Sequence, residues 1–232
     1  LPALAWLRPH ADAPVPLLQQ ASISAGALDE AAIELAWLAL LLPALAVLPL
    51  PHDDTQWAGC YRLPAASLQL DPSRQPYELV ARSPVPLRDA GNSEFVVFRG
   101  GIAQRDQVAI VIGNPDLGGV VPVRVHSSCL TGDLFGSLKC DCGDQLRHGL
   151  AALKDKGGGV LLYLDQEGRG TGIAAKMRAY GYQHEGLDTI DADAQLGFGA
   201  DGRRYDAAVA MLHGLGIARI ELLSNNPSKA AR

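Results

Sequence analysis

Three cysteines, Cys129, Cys140 and Cys142, fall within fourteen residues of one another, while the fourth, Cys60, stands far upstream. A Cys-x-Cys pair is poorly placed to close a disulfide on itself, yet both thiolates can reach one metal ion. Structural zinc sites usually bring four ligands, often as two Cys-x-x-Cys knuckles, and no second knuckle is present here. Three ligands leave the fourth tetrahedral position to water, whose pKa zinc lowers towards ~7. Three thiolates also make the metal electron-rich, so a nearby acid or base would assist proton transfer. The spacing therefore predicts a zinc site capable of hydrolysis. Two other readings stay open on spacing alone: a closed structural site with His126 or His148 as fourth ligand, or three ordinary cysteines in a strand and a helix start.

The elements that must hold this cluster lie on either side of it. EFVVFRG (94–100) and QVAIVIG (107–113) are runs rich in Val, Ile and Phe, split by a glycine-containing connection, as strands are. VVPVRVH (120–126) is a third run and leads directly towards Cys129. CGDQLRHGLAALKDKG, beginning at Cys142, reads as an amphipathic helix with a glycine stop. GVLLYLDQ then reads as a short buried strand, GIAAKMRAYGYQ and RRYDAAVAMLHGLG as helices, and IARIELLSNNP as a closing strand and turn. Strands first, then alternating helices and strands, predict an α+β (mixed α/β) fold.

The 232 residues suffice for one large domain or two modest ones, and at 48% hydrophobic and 19% charged they can bury a core. A net charge of −5 argues against a broad nucleic-acid footprint. A small anionic ligand needs only a local cluster of basic side chains and backbone N–H groups. Cysteine usage predicts a reducing, cytoplasmic compartment. Residues 1–83 have a different character and are expected to form a small α/β extension: a capped helix from Asp29, a short apolar strand (AVLPL), and polar, proline-broken connections. Pro84 and Pro86 in SPVPL read as a linker to a catalytic domain over 84–232. The apolar stretch Leu35 to Leu50 raises a membrane question, but it has sixteen residues with Pro43 inside, against ~20 for a spanning helix. It also lacks the basic leader of a signal peptide, so a buried helix and no membrane contact are predicted. His52, Asp53 and Asp54 are metal-ligand types in a row, and are expected to be a solvated turn.

Four blocks in order, RVHSSCLTGDLFGSLKCDCGDQL, DQEGRGTGIAAKMRAY, DTIDADAQLGFGADGRRYDAA and LLSNNPSK, resemble the GTP cyclohydrolase II family, which carries out the first step of riboflavin synthesis. The resemblance runs from about residue 93 to the end. It implies a GTP cyclohydrolase II-like catalytic domain, GTP as substrate and a homodimer. It also implies one zinc ion per subunit on Cys129, Cys140 and Cys142, and Mg2+ accompanying the triphosphate. Arg124, Val125, His126, Ser127, Ser128 and Gln145 match nucleotide contacts, with Ser128 standing where the family often has Glu. Glu167, Gly168 and Arg169 match the block that meets base and phosphate. Tyr180 matches a tyrosine near the base, Thr189 another nucleotide contact, and Ser224 and Lys229 phosphate-side positions, Ser224 where the family commonly has Thr. Asp201 and Arg203 match the proton acceptor and the nucleophile.

These implied roles have physical sense beside plainer readings. A carboxylate at Glu167 can accept from the guanine N1–H and 2-amino edge while Arg169 pairs with phosphate. Taken alone, EGR reads as a surface turn, and EGRGTGI lacks the full GxGxxG spacing. A helical tyrosine such as Tyr180 ordinarily packs half-buried. A guanidinium with a pKa above ~12 is a poor nucleophile unless Asp201 takes its proton. An electrostatic clamp on the phosphoryl transition state is an equally physical role for Arg203.

The reaction implied by the resemblance releases pyrophosphate and formate from GTP and opens the guanine imidazole ring at C8. Its product is 2,5-diamino-6-ribosylamino-4(3H)-pyrimidinone 5′-phosphate. Alternatives are a divergent homologue serving another GTP-using pathway, and a zinc-stabilised nucleotide-binding regulator without turnover. The family continues for some tens of residues beyond Lys229, so a C-terminal end truncated or left out is expected. In bifunctional relatives a 3,4-dihydroxy-2-butanone 4-phosphate synthase precedes this domain. Its Asp-Asp-Glu and Arg-Glu-Asn-Glu-Gly-Asp pattern is missing from residues 1–83, which are therefore expected to be non-catalytic.

Overall fold

The computed structural model describes residues 26–43, 45, 59–67, 76–101, 103–184, 186–198 and 201–224. The chain divides into two compact units, Leu1–Asp71 with Ala174–Ala200, and Pro72–Ile173 with Asp201–Arg232. Residues 174–200, which lie within the expected stretch 84–232, group with the N-terminal unit.

The larger unit is built on one six-stranded mixed sheet. Its strands are β1 (Tyr77–Pro84), β2 (Ser93–Gly100), β3 (Arg105–Gly113), β4 (Val121–Ser127), β5 (Gly158–Leu164) and β6 (Ile220–Leu222), in the order β1-β2-β3-β5-β4-β6. The pairs β1/β2, β2/β3 and β3/β5 are antiparallel, whereas β4 runs parallel to both β5 and β6. β5 is central and almost wholly buried, which is why GGVLLYL reads as a continuous apolar run rather than an alternation.

Both faces of β5 carry a core. Val160, Leu162 and Leu164 pack with Val96, Phe98, Val123 and Met211 of helix α5 (Asp206–Gly214). Leu161 on the opposite face packs with Ile110, Ile112 and Leu153 of helix α2 (Cys142–Asp155). The period of two along β5 feeds two helices, giving three layers.

β1 was not expected as a strand. Its side chains are nearly all exposed, and Arg82 pairs across to Glu94 on β2 at 2.6 Å. The expected linker prolines border this strand: Pro84 is its last residue, and the Val85 N–H still donates to Ser93 O. An edge strand tolerates proline because its outward N–H groups have no ladder partner.

The smaller unit contains helices α1 (Ala27–Leu38), α3 (Ile173–His184, from Ala174 onward) and α4 (Thr189–Gln195). The Gly26 N–H donates to the Asp29 carboxylate at 2.8 Å, so Asp29 closes the first turn instead of preceding it. α1 ends at Leu38, well before Leu50: Pro43 has no N–H for the helix and its ring collides with the carbonyl four residues back. Among the described residues, no helix is long and apolar enough to cross a membrane. Ala175, Ala179, Ala192, Leu196 and Phe198 form this unit's core, joined by Leu42, Tyr182 and Leu187. The expected AVLPL strand and the His52–Asp54 turn lie outside the described residues.

Candidate active site

Strands β4, β5 and β6 run parallel, and the segments that could do chemistry leave from their carboxyl ends. Ser127, Ser128 and Cys129 leave β4, Gln166 to Arg169 leave β5, and Ser224 leaves β6. Ligand sites in open α/β sheets form at this edge, where loops diverge and backbone groups are unpaired.

Cys129 enters a π-helical turn, Leu130–Leu134, and Cys142 opens α2. The three Sγ atoms lie within 4.8 Å of one another, and those of Cys129 and Cys140 are 3.6 Å apart. Thiolates on one tetrahedral zinc ion at ~2.3 Å stand ~3.8 Å apart, so the sulfurs already hold metal-binding spacing. Burial, and then the sulfurs of Cys129 and Cys140, push the Cys142 thiol up. Three adjacent thiolates coexist only with a cation among them, and the donor set fits a thiophilic metal ion. Gly132 makes the close approach feasible. A Cβ there would lie 2.9 Å from Cys140 Sγ, 2.9 Å from Cys142 Cβ and 3.0 Å from Cys129 Sγ. Gly143 is required for a similar reason, since a Cβ would collide with the Gly132 carbonyl oxygen.

Neither histidine considered as a fourth ligand belongs to this sulfur group, which among the described residues contains only the three cysteines. His126 is 4% exposed, and its Nε2 faces the Asp133 carboxylate at 3.1 and 3.2 Å. Its neighbours in the RVHSS stretch are also engaged in building the site. Val125 packs into the core. The Ser127 hydroxyl accepts from Gln166 Nε2 at 3.0 Å. Arg124 donates through Nη1 to Leu223 O at 2.9 Å and through Nη2 to Gln145 Oε1 at 3.2 Å. Gln145 in turn donates to Asp141, between the second and third cysteines, at 2.7 Å. Burial lowers the Arg124 pKa, with Asp141 opposing. Its Nε and the Ser128 hydroxyl are buried without a partner among the described residues, which suits polar groups awaiting a ligand.

Glu167, Gly168 and Arg169 form a tight 3-10 turn in which Gly168 (φ 62°) and Arg169 (φ 60°) are both left-handed. For a non-glycine residue that conformation costs about 1–2 kcal/mol, strain of the kind concentrated at functional sites. The Glu167 carboxylate accepts from Leu130 N–H at 2.6 Å and Gly168 N–H at 3.0 Å, tying this turn to the cysteine loop.

Asp201 and Arg203 form a two-point pair: Nε to Oδ1 at 2.9 Å and Nη2 to Oδ2 at 2.8 Å, with both side chains about one-fifth exposed (18% and 21%). The Asp201 hydrogen bonds raise the Arg203 pKa, against burial, and Tyr205 and Cys142 raise it further. Gln166, 9% exposed, holds this segment in place, because its Oε1 accepts the Arg204 N–H at 3.0 Å while its Nε2 grips Ser127.

The sheet unit thus carries the cysteines, Arg124–Ser128, Gln145, the EGR turn, Asp201, Arg203 and Ser224, with hydrogen bonds joining several of these segments. Tyr180 and Thr189 stand on the helical unit, where Tyr180 is half-buried with Lys176 Nζ 5.6 Å from its ring centre. Lys229 lies outside the described residues. Asp133 and Gln166 went unrecognised in the sequence. Both sit inside quoted motifs, yet Gln166 acts through the distant Ser127 and Arg204, and Asp133 joins its neighbours His126 and Cys129 to the distant Tyr163.

Comparison with known proteins gives a consistent picture. The family model described as GTP cyclohydrolase II matches residues 78–232. A "GTP cyclohydrolase-2" of Xylella fastidiosa is 71% identical over 209 residues, covering 88% of this chain and 52% of its own. A "GTP cyclohydrolase-2" of Azospirillum brasilense is 43% identical over 96% of this chain and 60% of its own. A "Riboflavin biosynthesis protein RibBA" of Bacillus mycoides is 39% identical over 87% of this chain and 54% of its own. The chain spans between about half and three-fifths of the length of these relatives.

Proposed function

Because the chain belongs to the GTP cyclohydrolase II family, we propose that it opens the imidazole ring of GTP at C8 by zinc-dependent hydrolysis. Formate and pyrophosphate leave, and 2,5-diamino-6-ribosylamino-4(3H)-pyrimidinone 5′-phosphate, the first intermediate of riboflavin biosynthesis, is formed. The observation that carries this reading is the group of three Sγ atoms within 4.8 Å, at the carboxyl ends of parallel strands beside Glu167 and Arg203. Cys129, Cys140 and Cys142 would hold the zinc ion, which would supply a Lewis acid that makes water a stronger acid near neutral pH.

The protein's own groups do the rest. Glu167, whose carboxylate ties the turn to the Leu130 and Gly168 N–H groups, accepts from the guanine N1–H and 2-amino edge. The Ser128 hydroxyl and Arg124 Nε, buried without a partner among the described residues, meet the nucleotide, with His126, Ser127 and Gln145 bracing them. Arg169, Ser224 and Lys229 receive the phosphates, with Mg2+ travelling on the triphosphate. Arg203 acts as an electrostatic clamp: its raised pKa keeps it cationic, and Asp201 fixes its plane for two-point contact with phosphoryl oxygens. Tyr180 polarises the base, and Thr189 adds a nucleotide contact. A cytoplasmic homodimer is the proposed working form.

The deciding experiment incubates purified, zinc-loaded protein with GTP and assays formate and pyrophosphate. Stoichiometric release of both is expected, and Cys140→Ser should abolish formate. Tight GTP binding with no formate from the wild-type protein would replace this reading with that of a non-catalytic nucleotide binder.

A further inference from the structure

Asp133 lies in the π-helical turn between the first and second cysteines, and its carboxylate is 8% exposed. Three donors from separate elements converge on it. The Cys129 N–H reaches Oδ2 at 3.0 Å, the Tyr163 hydroxyl reaches Oδ2 at 2.8 Å, and His126 Nε2 stands 3.1 and 3.2 Å from the two oxygens. The Asp133 N–H also donates to Cys129 O at 2.7 Å, so both ends of the Cys129 peptide frame are bound to one residue. His126 and Tyr163 face each other in register on β4 and β5, with rings stacked 5.6 Å apart. They sit on the most deeply buried strands of the sheet, so the carboxylate fastens the cysteine loop to the buried centre of the sheet.

We infer that Asp133 is the positioning residue of the metal loop: with His126 and Tyr163 it fixes the backbone of Cys129, the most buried of the three sulfur ligands, before metal arrives. The inference rests on the reading of the cysteines as a zinc site. Asp133 touches neither metal nor substrate; it acts through Cys129. Partners one step beyond the ligands typically govern metal affinity by 10–100-fold. Its carboxylate also places negative charge beside the Cys129 amide, and each lost donor pairing would leave a buried polar group unmet.

The test measures zinc affinity by chelator competition and the sulfur-to-cobalt charge-transfer band after Co2+ substitution, with circular dichroism as the check on folding. Asp133→Asn should weaken zinc by about 10–100-fold and shift the cobalt band while the protein stays folded. Tyr163→Phe, which removes one donor and leaves the stack intact, should weaken zinc several-fold and decides the matter alone if Asp133→Asn fails to fold. Wild-type affinity and an unaltered band in the folded variants would overturn the inference. Failure of the wild-type protein itself to take up zinc or Co2+ would instead remove the metal reading on which it stands.

Discussion

At the scale of single residues, the clamp proposed for Arg203 and the nucleophile that the family resemblance implies make opposite demands on its proton. A nucleophilic guanidinium must shed a proton, yet Asp201 holds it by two parallel bonds that raise its pKa. A clamp needs the opposite, a charge that persists. Arg203→Lys keeps the charge and loses the fork, so pyrophosphate release should fall by about 10²–10³, the cost of removing one preorganised donor. Denaturing mass spectrometry of the wild-type protein quenched during turnover should show no guanylyl adduct, and an adduct on Arg203 would restore the nucleophile. Arg169 gives a second test. Its left-handed backbone (φ 60°) is native to glycine, so Arg169→Gly should leave thermal stability equal or raise it by about 1 kcal/mol while GTP turnover collapses. A drop in stability beyond ~2 kcal/mol would mean that the side chain braces the turn. The residue types of the site were legible, because cysteine spacing and the EGR and DGR triplets stand out in one dimension. The surroundings of His126 were less so: its ring faces Asp133 in the cysteine loop, and Tyr163, in register with it on β5, meets the same carboxylate.

At the scale of elements, strands β2 to β5 were readable from their Val- and Ile-rich runs, since burial on one or both faces demands such residues. β1 was not, because an edge strand with both faces exposed has no reason to be apolar and can end in proline. Helix α4, TIDADAQ, escaped for a related reason: seven mostly polar residues show no period. The cysteine loop is an element of a different sort, shaped by the space between its turns. Gly132→Ala tests this directly. The added methyl would press on both Cys140 Sγ and Cys129 Sγ, so the sulfurs must spread. Zinc affinity by chelator competition should fall at least about tenfold, with the circular dichroism spectrum unchanged because the loop lies outside both cores. An unchanged affinity would show that the loop repacks without loss.

At the scale of the whole molecule, the sheet unit carries two apolar faces that pack without a metal on the cysteines. In small zinc domains the metal supplies most of the folding free energy, so chelation unfolds them. Here fully buried Val96, Val123, Val160, Leu161, Leu162 and Met211 need no metal to stay packed. The division into units was illegible in the sequence, because residues 174–200 leave the sheet unit and return at Asp201 without any change in composition. Metal removal follows from the same layout. At free zinc one hundred times the dissociation constant, binding to the folded state alone contributes about 2.7 kcal/mol. For a chain of this size, with each kcal/mol worth roughly 2–4 °C, chelation should lower Tm by about 5–11 °C and leave the far-ultraviolet spectrum intact. Thiol titration should change with it. Of the four cysteines Cys60 is exposed, so one thiol should react quickly in the zinc-loaded protein, and the half-buried Cys140 and Cys142 should join it after chelation while buried Cys129 lags. If chelation instead melted the sheet, the metal would be a folding ligand and the two cores insufficient by themselves. If the thiol count did not rise, the sulfurs of Cys129, Cys140 and Cys142 would not be what the metal occupies.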